Sequence, residues 1–274
     1  MTASGALRRP WLKQILTREN RIVGGCLAML CAVAWWWLWH NAGAMNAAGA
    51  MRGMTGMTGM TGMAPASAAG APWRLAYFVP AFLMWAIMMV AMMLPSAAPM
   101  ILLHATFARR SPTAARGATV AFLCAYLLLW VLFSALAAAG QALLVGHGLL
   151  SRASLTLGDR ALVAGLLVAT ASYQLSGLKR LCLSHCRSPA AFLMRFWRPG
   201  IAGAVRMGIT HGLYCIGCCG VLMLLLFVGG VMNLVWVALL TLIVLVEKYA
   251  NPRWYPDRLI AVALLIAAGV LFLR

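Results

Sequence analysis

Long apolar stretches recur along this chain and constrain its fold more strongly than any other feature. Their lengths, about 18 to 25 residues, are sufficient to cross a lipid bilayer as helices. Of the 274 residues, 64% are hydrophobic and 9% are charged, whereas a soluble protein of this size needs far more charge to cover its surface. Lipid offers no partner to backbone N–H and C=O groups, so each stretch must satisfy them internally. The sequence therefore predicts an all-α fold, a polytopic bundle of transmembrane helices.

Seven candidate spans follow from these stretches, and the alternating pattern typical of a β-barrel is absent. The spans are residues 22–40, 76–94, 118–140, 161–178, 207–228, 232–247 and 258–273. We predict that residues 1–21 form a basic cytoplasmic tail and that residues 22–274 form a single transmembrane domain. The first stretch is interpreted as a retained helix and not as a cleaved signal peptide. Its leader is long, and "WWWLW" at residues 35–39 is typical of an interfacial aromatic belt.

Positive charges predict the orientation of the bundle. Seventeen of the 22 Lys and Arg residues lie in the N-terminal tail and in every second connection, and five lie on the opposite side. Positive side chains accumulate on the cytoplasmic side, which places the N-terminus inside and the C-terminus outside. The net charge of +18 is thus mainly a topology signal, with the lipid bilayer as the expected partner. Nucleic acid is not an expected partner, because the sequence has no solvated basic domain.

A methionine-rich segment is predicted to form a flexible external loop over residues 41–75. Its M-T-G triplets place Met54, Met57, Met60 and Met63 at regular spacing among Gly, Ala and Pro residues. Thioethers are soft, uncharged ligands that suit Cu(I). Copper capture and a simple spacer are both open interpretations of this segment.

The second span contains a further run of methionines. Met84, Met88 and Met92 form one stripe at helical spacing, with Met89 and Met93 beside it. Taken alone, such a stripe is more typical of core packing than of ligation, since methionine fills gaps in apolar cores. Pro95 interrupts the helical hydrogen bonds, and we expect a broken segment that faces protein or a wet cavity.

The stretch "HGLYCIGCC" at residues 211–219 concentrates metal-binding residue types in the fifth span. At about 100° per residue, His211, Cys215, Cys218 and Cys219 fall on one arc of the helix. This pattern predicts a metal site. The alternative is that glycines and cysteines are small residues that let another helix approach closely.

A second cluster, "LKRLCLSHCRSP", follows the fourth span at its cytoplasmic end. Cys182 and Cys186 are four residues apart and share a face if the helix continues that far, and Lys179 supplies nearby positive charge. Stable disulfides are not expected toward the reducing cytosol. Thiolate ligation or catalytic thiol chemistry is therefore the interpretation of both clusters.

Several of these motifs resemble those of a bacterial family of predicted metal-binding integral membrane proteins, formerly a domain of unknown function. The motifs are "WAIMMVAMMLPSAAPM", "YQLSGLKRLCLSHCRSP", "HGLYCIGCCGVLMLLLFVGGVMNLVW" and the "EK" at Glu247 and Lys248. The resemblance covers residues 77–248, and it departs at Gly220, where tryptophan is expected, and at Gly177, where proline is usual. It implies metal binding, with copper as the usual metal, in a multi-pass protein of the bacterial inner membrane.

Other chemistries fit the sequence less well. The four acidic residues are scattered, which disfavours a carboxylate-pair hydrolase and a site for hard cations. No glycine-rich phosphate loop follows a strand, which disfavours an ATP-driven pump. Glu247, at the end of the sixth span, is either a functional residue or a side chain that reaches to the interface beside Lys248. The chain thus favours a binding protein over an enzyme.

The sequence leads to the hypothesis of a membrane protein that handles Cu(I), or another soft or borderline metal. Thioethers would gather the ion, the second span would relay it, and the Cys and His clusters would accept it, because thiolates hold Cu(I) more tightly than thioethers. Its partners would be a copper chaperone or a cuproenzyme under assembly, and an oligomer is possible. The alternatives are a thiol–disulfide carrier that uses the Cys-x-x-Cys pair of Cys215 and Cys218, and a non-catalytic assembly subunit.

Overall fold

The computed structural model describes residues 18–55, 75–110, 117–150, 155–251 and 254–273. Within these ranges the chain is helical apart from turns, short connections and an isolated β-bridge between Leu150 and Leu157. In chain order the helices are α1 (Arg18–Thr55), α2 (Leu75–Arg110), α3 (Ala118–Gly146), α4 (Arg160–Gln174), α5 (Gly177–Arg187), α6 (Pro189–Phe196), α7 (Gly200–Met223), α8 (Leu226–Gly229), α9 (Leu234–Tyr249) and α10 (Pro256–Leu273). The predicted all-α fold is confirmed.

The number of helices that can cross a membrane is lower than the predicted seven. In the described ranges, α1, α2, α3, α10 and the α7–α8 pair are long and apolar enough, and α4 with α5 makes a sixth if that bent pair is one span. The predicted span 232–247 corresponds to α9, which has 16 residues. At 1.5 Å per residue, α9 is about 24 Å long, against a hydrocarbon core of about 30 Å. The seven-span topology thus depends on α9 and is not confirmed.

The first helix is longer than its predicted span. α1 continues to Thr55, so residues 41–55, which were predicted to begin the external loop, are helical. Met54 therefore belongs to the end of α1, while Met57, Met60 and Met63 lie outside the described residues. Alanine, the best helix former, is frequent in this segment and explains the extension.

The proline-rich second span is a single helix and not the broken segment that we expected. α2 runs through Pro80, Pro95 and Pro99. Pro95 has no N–H to donate to the carbonyl of Ala91. This carbonyl instead accepts a hydrogen bond of 3.2 Å from the indole Nε1 of Trp35 in α1. A neighbouring helix thus satisfies the backbone group that the proline leaves without its helical partner.

A sharp bend separates α4 from α5. The two helices are inclined by 63°, so the fourth span does not simply continue to the cysteines at its cytoplasmic end. Ser176 accepts a hydrogen bond of 3.2 Å from the backbone N–H of Lys179 and begins a new helix as its N-cap. Cys182 and Cys186 therefore lie on α5, a helix of 11 residues with its own direction.

The core of the bundle lies around α7. α3 packs along one side of α7 and α5 along another, while α2 packs against α3 and α1 packs against α2. A Cβ atom at Gly208 would lie 2.4 Å from the backbone carbonyl oxygen of Phe122 in α3, so only glycine allows this approach. The helix contact that we considered as the alternative to a metal site is therefore present, on the side of α7 that faces α3.

Candidate metal centre

Three cysteines of α7 bring their thiols together. Cys215, Cys218 and Cys219 are three and four residues apart, a spacing that places side chains on one helix face. Their Sγ atoms all lie within 4.8 Å of one another, and each residue is at most 1% exposed. Atoms this close can bind the same metal ion.

Two neighbouring helices add sulfur atoms to this group. The Sγ of Cys186 in α5 lies 3.7 Å from the Sγ of Cys218, and the Sδ of Met93 in α2 lies 3.7 Å from the Sγ of Cys219. Four thiols and one thioether thus converge from three helices. We call the five residues the sulfur cluster, namely Met93, Cys186, Cys215, Cys218 and Cys219.

A positive charge is directed at the sulfur cluster. The ammonium of Lys248 donates hydrogen bonds to Cys215 Sγ at 3.2 Å and to Ser96 Oγ at 2.9 Å. The hydroxyl of Tyr126 lies 3.3 Å from the same Cys215 Sγ. Charges interact strongly in a dry interior. Lys248 can therefore offset the negative charge that thiolate ligands would bring into the membrane.

Glu247 and Lys179 form a buried ion pair near the sulfur cluster. Their charged atoms are 2.7 Å apart, and Glu247 also accepts a hydrogen bond of 2.8 Å from Gln174 Nε2. Glu247 is 1% exposed, so the interpretation that it reaches to the interface is wrong. The pair joins α9 to α4 and α5, and it balances the charge of Glu247 within the protein. Lys248, the next residue, is then directed at the sulfurs.

His211 lies one turn before Cys215 but outside the compact group of three cysteines. It is 2% exposed and surrounded by the rings of Phe122, Tyr126 and Phe192, with centroids 5.3 to 6.1 Å away. Among the described residues, its Nδ1 atom has no hydrogen-bond partner. Buried polar atoms are normally satisfied. A nitrogen without a partner next to the sulfur cluster fits a ligand that binds when a metal is present.

Cys182 lies beside the sulfur cluster, and its role as a metal ligand stays a prediction. Its Sγ would lie 2.6 Å from a Cβ atom at position 217, so Gly217 is the residue that allows α5 to lie against α7 here. The hydroxyl of Tyr173 donates a hydrogen bond to the carbonyl of Gly217 on the same side. Of the two cysteines predicted on α5, Cys186 is therefore the one in contact with another thiol.

The predicted methionine stripe is buried within the bundle. Met84 is 6% exposed, and Met88 and Met92 are fully buried. The methionine that contacts the cysteines is their neighbour Met93. The proposed relay through Met84, Met88 and Met92 stays a prediction, as does the role of Met54 at the end of α1.

Several residues around the sulfur cluster were not predicted as site residues. Met93 was noted only as a neighbour of the stripe, Lys248 only as part of a motif, and Tyr126 and Ser96 not at all. A polar side chain within an apolar span is the signal that could have indicated Tyr126 and Ser96. Their contact with Cys215 or Lys248 depends on the packing of α2 and α3 against α7 and α9.

Comparison with known protein families identifies the chain. A family model named PpoB2 and described as copper chaperone matches residues 82–271. The chain belongs to the PpoB2 copper chaperone family. This confirms the resemblance that its motifs suggested and supports a role in copper handling. Searches of curated proteins and of solved structures found no significant match.

The matched region of the PpoB2 copper chaperone family includes every residue of the sulfur cluster, together with Tyr126, His211 and Lys248. It begins after α1 and the methionine-rich segment. Copper handling in this family thus corresponds to the part of the chain that carries the buried thiols. The first helix and the M-T-G repeats, which continue after it in the sequence, lie outside the matched region.

Proposed function

We propose that this protein binds Cu(I) at the sulfur cluster inside the membrane and delivers it to a cuproenzyme under assembly. The observation that supports this most directly is that three buried thiols of α7 lie within 4.8 Å of one another, with Cys186 Sγ 3.7 Å from Cys218 Sγ and Met93 Sδ 3.7 Å from Cys219 Sγ. Copper is the cargo of such a protein and not a permanent cofactor. Membership of a copper chaperone family agrees with this role.

The donor set favours Cu(I) over other biological metals. Thiolates and thioethers are soft ligands and select Cu(I), whereas carboxylates and carbonyls suit Mg²⁺, Ca²⁺ and Mn²⁺. Zn²⁺ also binds four thiolates, in a tetrahedral arrangement. The thioether of Met93 beside Cys219 distinguishes this site, because thioether sulfur is a ligand for Cu(I). The unpartnered Nδ1 of His211 supplies a further ligand of borderline softness.

Orientation determines which side of the membrane the sulfur cluster faces, and we propose that the N-terminus and the sulfur cluster face the bacterial cytoplasm. The charge distribution supports this, because most Lys and Arg residues fall on one side. Reporter fusions provide the test. A reporter after Arg110 is expected in the cytoplasm and one after Arg274 outside. If both reporters are cytoplasmic, the chain crosses an even number of times, so that either α9 or the bent α4–α5 pair does not cross.

The direct test of the proposed function is metal analysis of the protein after anaerobic purification, combined with a count of reactive thiols. We expect close to one copper per chain, and blocked thiols, because several soft ligands hold the ion through purification. Less than about one tenth of a copper per chain would refute the proposal. Zinc at one per chain would assign the site to a different metal. An oxidised pair of thiols without metal would favour the thiol–disulfide carrier instead, since Cys186 and Cys218 have Sγ atoms 3.7 Å apart.

A further inference from the structure

We propose that a cavity at the far end of α2 is the site where Cu(I) enters the bundle, with the thioethers of Met84 and Met232 as its ligands. This inference rests on the proposed function, because it assumes that the ion moves on to the sulfur cluster. It assigns a second binding site for a soft monovalent cation to residues outside the sulfur cluster.

The cavity has a volume of about 420 Å³ and lies between α1, α2 and the start of α9. Its wall includes Met84 from the first turns of α2 and Met232 from the turn that precedes α9. Asn41, from the second half of α1, lies on the same wall. These positions are at the end of the bundle that the charge distribution assigns to the outside, the side where the methionine-rich segment follows α1.

The turn that carries Met232 is held in a defined conformation. Gly230 has a φ of 92°, a backbone conformation that glycine adopts without strain. The indole of Trp236 packs over Gly229 and donates a hydrogen bond of 2.8 Å to the carbonyl of Leu225. Asn233 caps α9 by accepting hydrogen bonds from Val235 and Trp236. Met232 is therefore presented to the cavity by a fixed turn, as a metal ligand should be.

Polar side chains of the cavity wall are already engaged in hydrogen bonds. Asn41 donates one of 2.9 Å to the carbonyl of Trp37. Gln141 accepts a bond of 2.8 Å from the indole of Trp85 and donates one of 3.0 Å to the hydroxyl of Tyr77. In the part of the chain that the structure describes, the residues lining the cavity include no carboxylate, imidazole or thiol. Hard divalent cations have no strong ligand there, whereas two uncharged thioethers suit a soft monovalent ion.

A continuous series of thioethers leads from this cavity to the sulfur cluster. Met84, Met88 and Met92 are four residues apart, so that each step rises about 6 Å along α2. Met88 and Met92 are fully buried, and the adjacent Met93 contacts Cys219 at 3.7 Å. Each transfer is a ligand exchange in which one Cu–S bond forms as another breaks, without electrons or protons. Thiolates at the end of the series hold the ion most tightly.

The test uses the full-length protein in lipid vesicles, with Cu(I) alone as the probe, and follows the rate at which the cysteines become loaded. In a Met84→Leu/Met232→Leu double variant we expect loading to slow by about tenfold or more, while the final copper content stays at the wild-type value. Leucine conserves the volume of methionine, so the fold should tolerate both changes. Met29→Leu and Met194→Leu are matched controls, because these methionines are 62% and 78% exposed and should not affect loading.

A second measurement isolates the cavity from the sulfur cluster. In a variant with all eight cysteines changed to serine and with Met54, Met57, Met60 and Met63 changed to leucine, we expect residual weak binding of Ag(I), a redox-inert substitute for Cu(I). Adding Met84→Leu and Met232→Leu should abolish this binding. Unchanged Ag(I) binding, or a cavity that retains only a lipid acyl chain in native mass spectrometry, would overturn the inference.

The two proposals fail in different ways. If wild-type protein does not load its cysteines at all, the proposed function is wrong and the entry site falls with it. If wild-type protein loads and the Met84→Leu/Met232→Leu variant loads at the same rate, only the entry site is wrong.

Discussion

The helices α1 and α7 are both long, apolar and contain cysteines, yet only α7 builds a site. The candidate span in α1 has 17% of its residues buried, and the α7–α8 span has 56%. Cys26 in α1 is exposed and Cys31 is half-buried, whereas Cys215, Cys218 and Cys219 in α7 are buried. α1 packs against α2, while α7 lies between α3 and α5. The comparison shows that a cysteine in an apolar helix becomes part of a site when neighbouring helices bring further donors to it.

The largest expected effect comes from removing thiols of α7 while the cysteines of α1 are kept. Cys215→Ser/Cys218→Ser should lower bound copper by about tenfold or more, because hydroxyls are hard ligands that stay protonated at neutral pH. The serines can bond to carbonyls one turn earlier, so folded protein should be retained. Copper per chain after anaerobic purification measures the effect.

The matched control is Cys26→Ser/Cys124→Ser, which changes two exposed cysteines. It should leave copper content at the wild-type value. Equal copper content in both double variants would remove the distinction between the cysteines of α7 and the exposed cysteines of α1 and α3.

The next largest effect, on Cu(I) affinity, is expected from changing Lys248, the residue of α9 whose ammonium is directed at Cys215 in α7. Lys248→Met should weaken Cu(I) binding by about tenfold, because the charge of the thiolates is then no longer offset in a medium of low dielectric constant. Lys248→Arg keeps the charge and should lose less. Competition with a Cu(I)-specific chelator measures both affinities. Wild-type affinity in Lys248→Met would show that Lys248 only fills space.

A smaller effect, on thermal stability, is expected when a methyl group is added to a glycine of α7 and compared with the same change in α1. A methyl group at Gly217 would meet Cys182 Sγ at 2.6 Å, so Gly217→Ala should destabilise the protein by about 1–3 kcal/mol. At Gly25 in α1 nothing lies within 4 Å of the added Cβ, so Gly25→Ala should be neutral or stabilise the helix by up to about 1 kcal/mol. Thermal unfolding midpoints compare the two variants. The same shift at both positions would contradict the close approach of α5 to α7.

The smallest effect is expected from the methionine array that follows α1. Changing Met54, Met57, Met60 and Met63 to leucine should reduce copper accumulation at limiting supply and leave saturated binding and membrane insertion unchanged. The reason is that thioethers raise the local concentration of Cu(I) without forming the final site. Copper accumulation in cells at low and high supply provides the measurement. No change at limiting supply would identify the array as a spacer.

Much of the fold followed from the sequence, and each expectation that failed has an identifiable physical cause. The apolar stretches predicted an all-α protein because a bilayer admits only helices or closed barrels. α1 extends further than predicted because alanine, which was counted with glycine and proline toward a flexible loop, favours helix. α2 is continuous because Trp35 satisfies the carbonyl of Ala91, a contact between helices that no local pattern reveals. The seventh span depended on α9, whose 16 residues make its length marginal.

The sequence alone determined which cysteines share a face of α7, because helical periodicity is local and follows from spacing. It also carried the motifs that place the chain in a copper chaperone family. Only the tertiary structure decided that Cys186 and Met93 approach the thiols of α7 and that Lys248 is directed at Cys215. These contacts join residues 32 to 126 positions apart. Their distances depend on how helices pack and bend, which the spacing of residues along one helix does not specify.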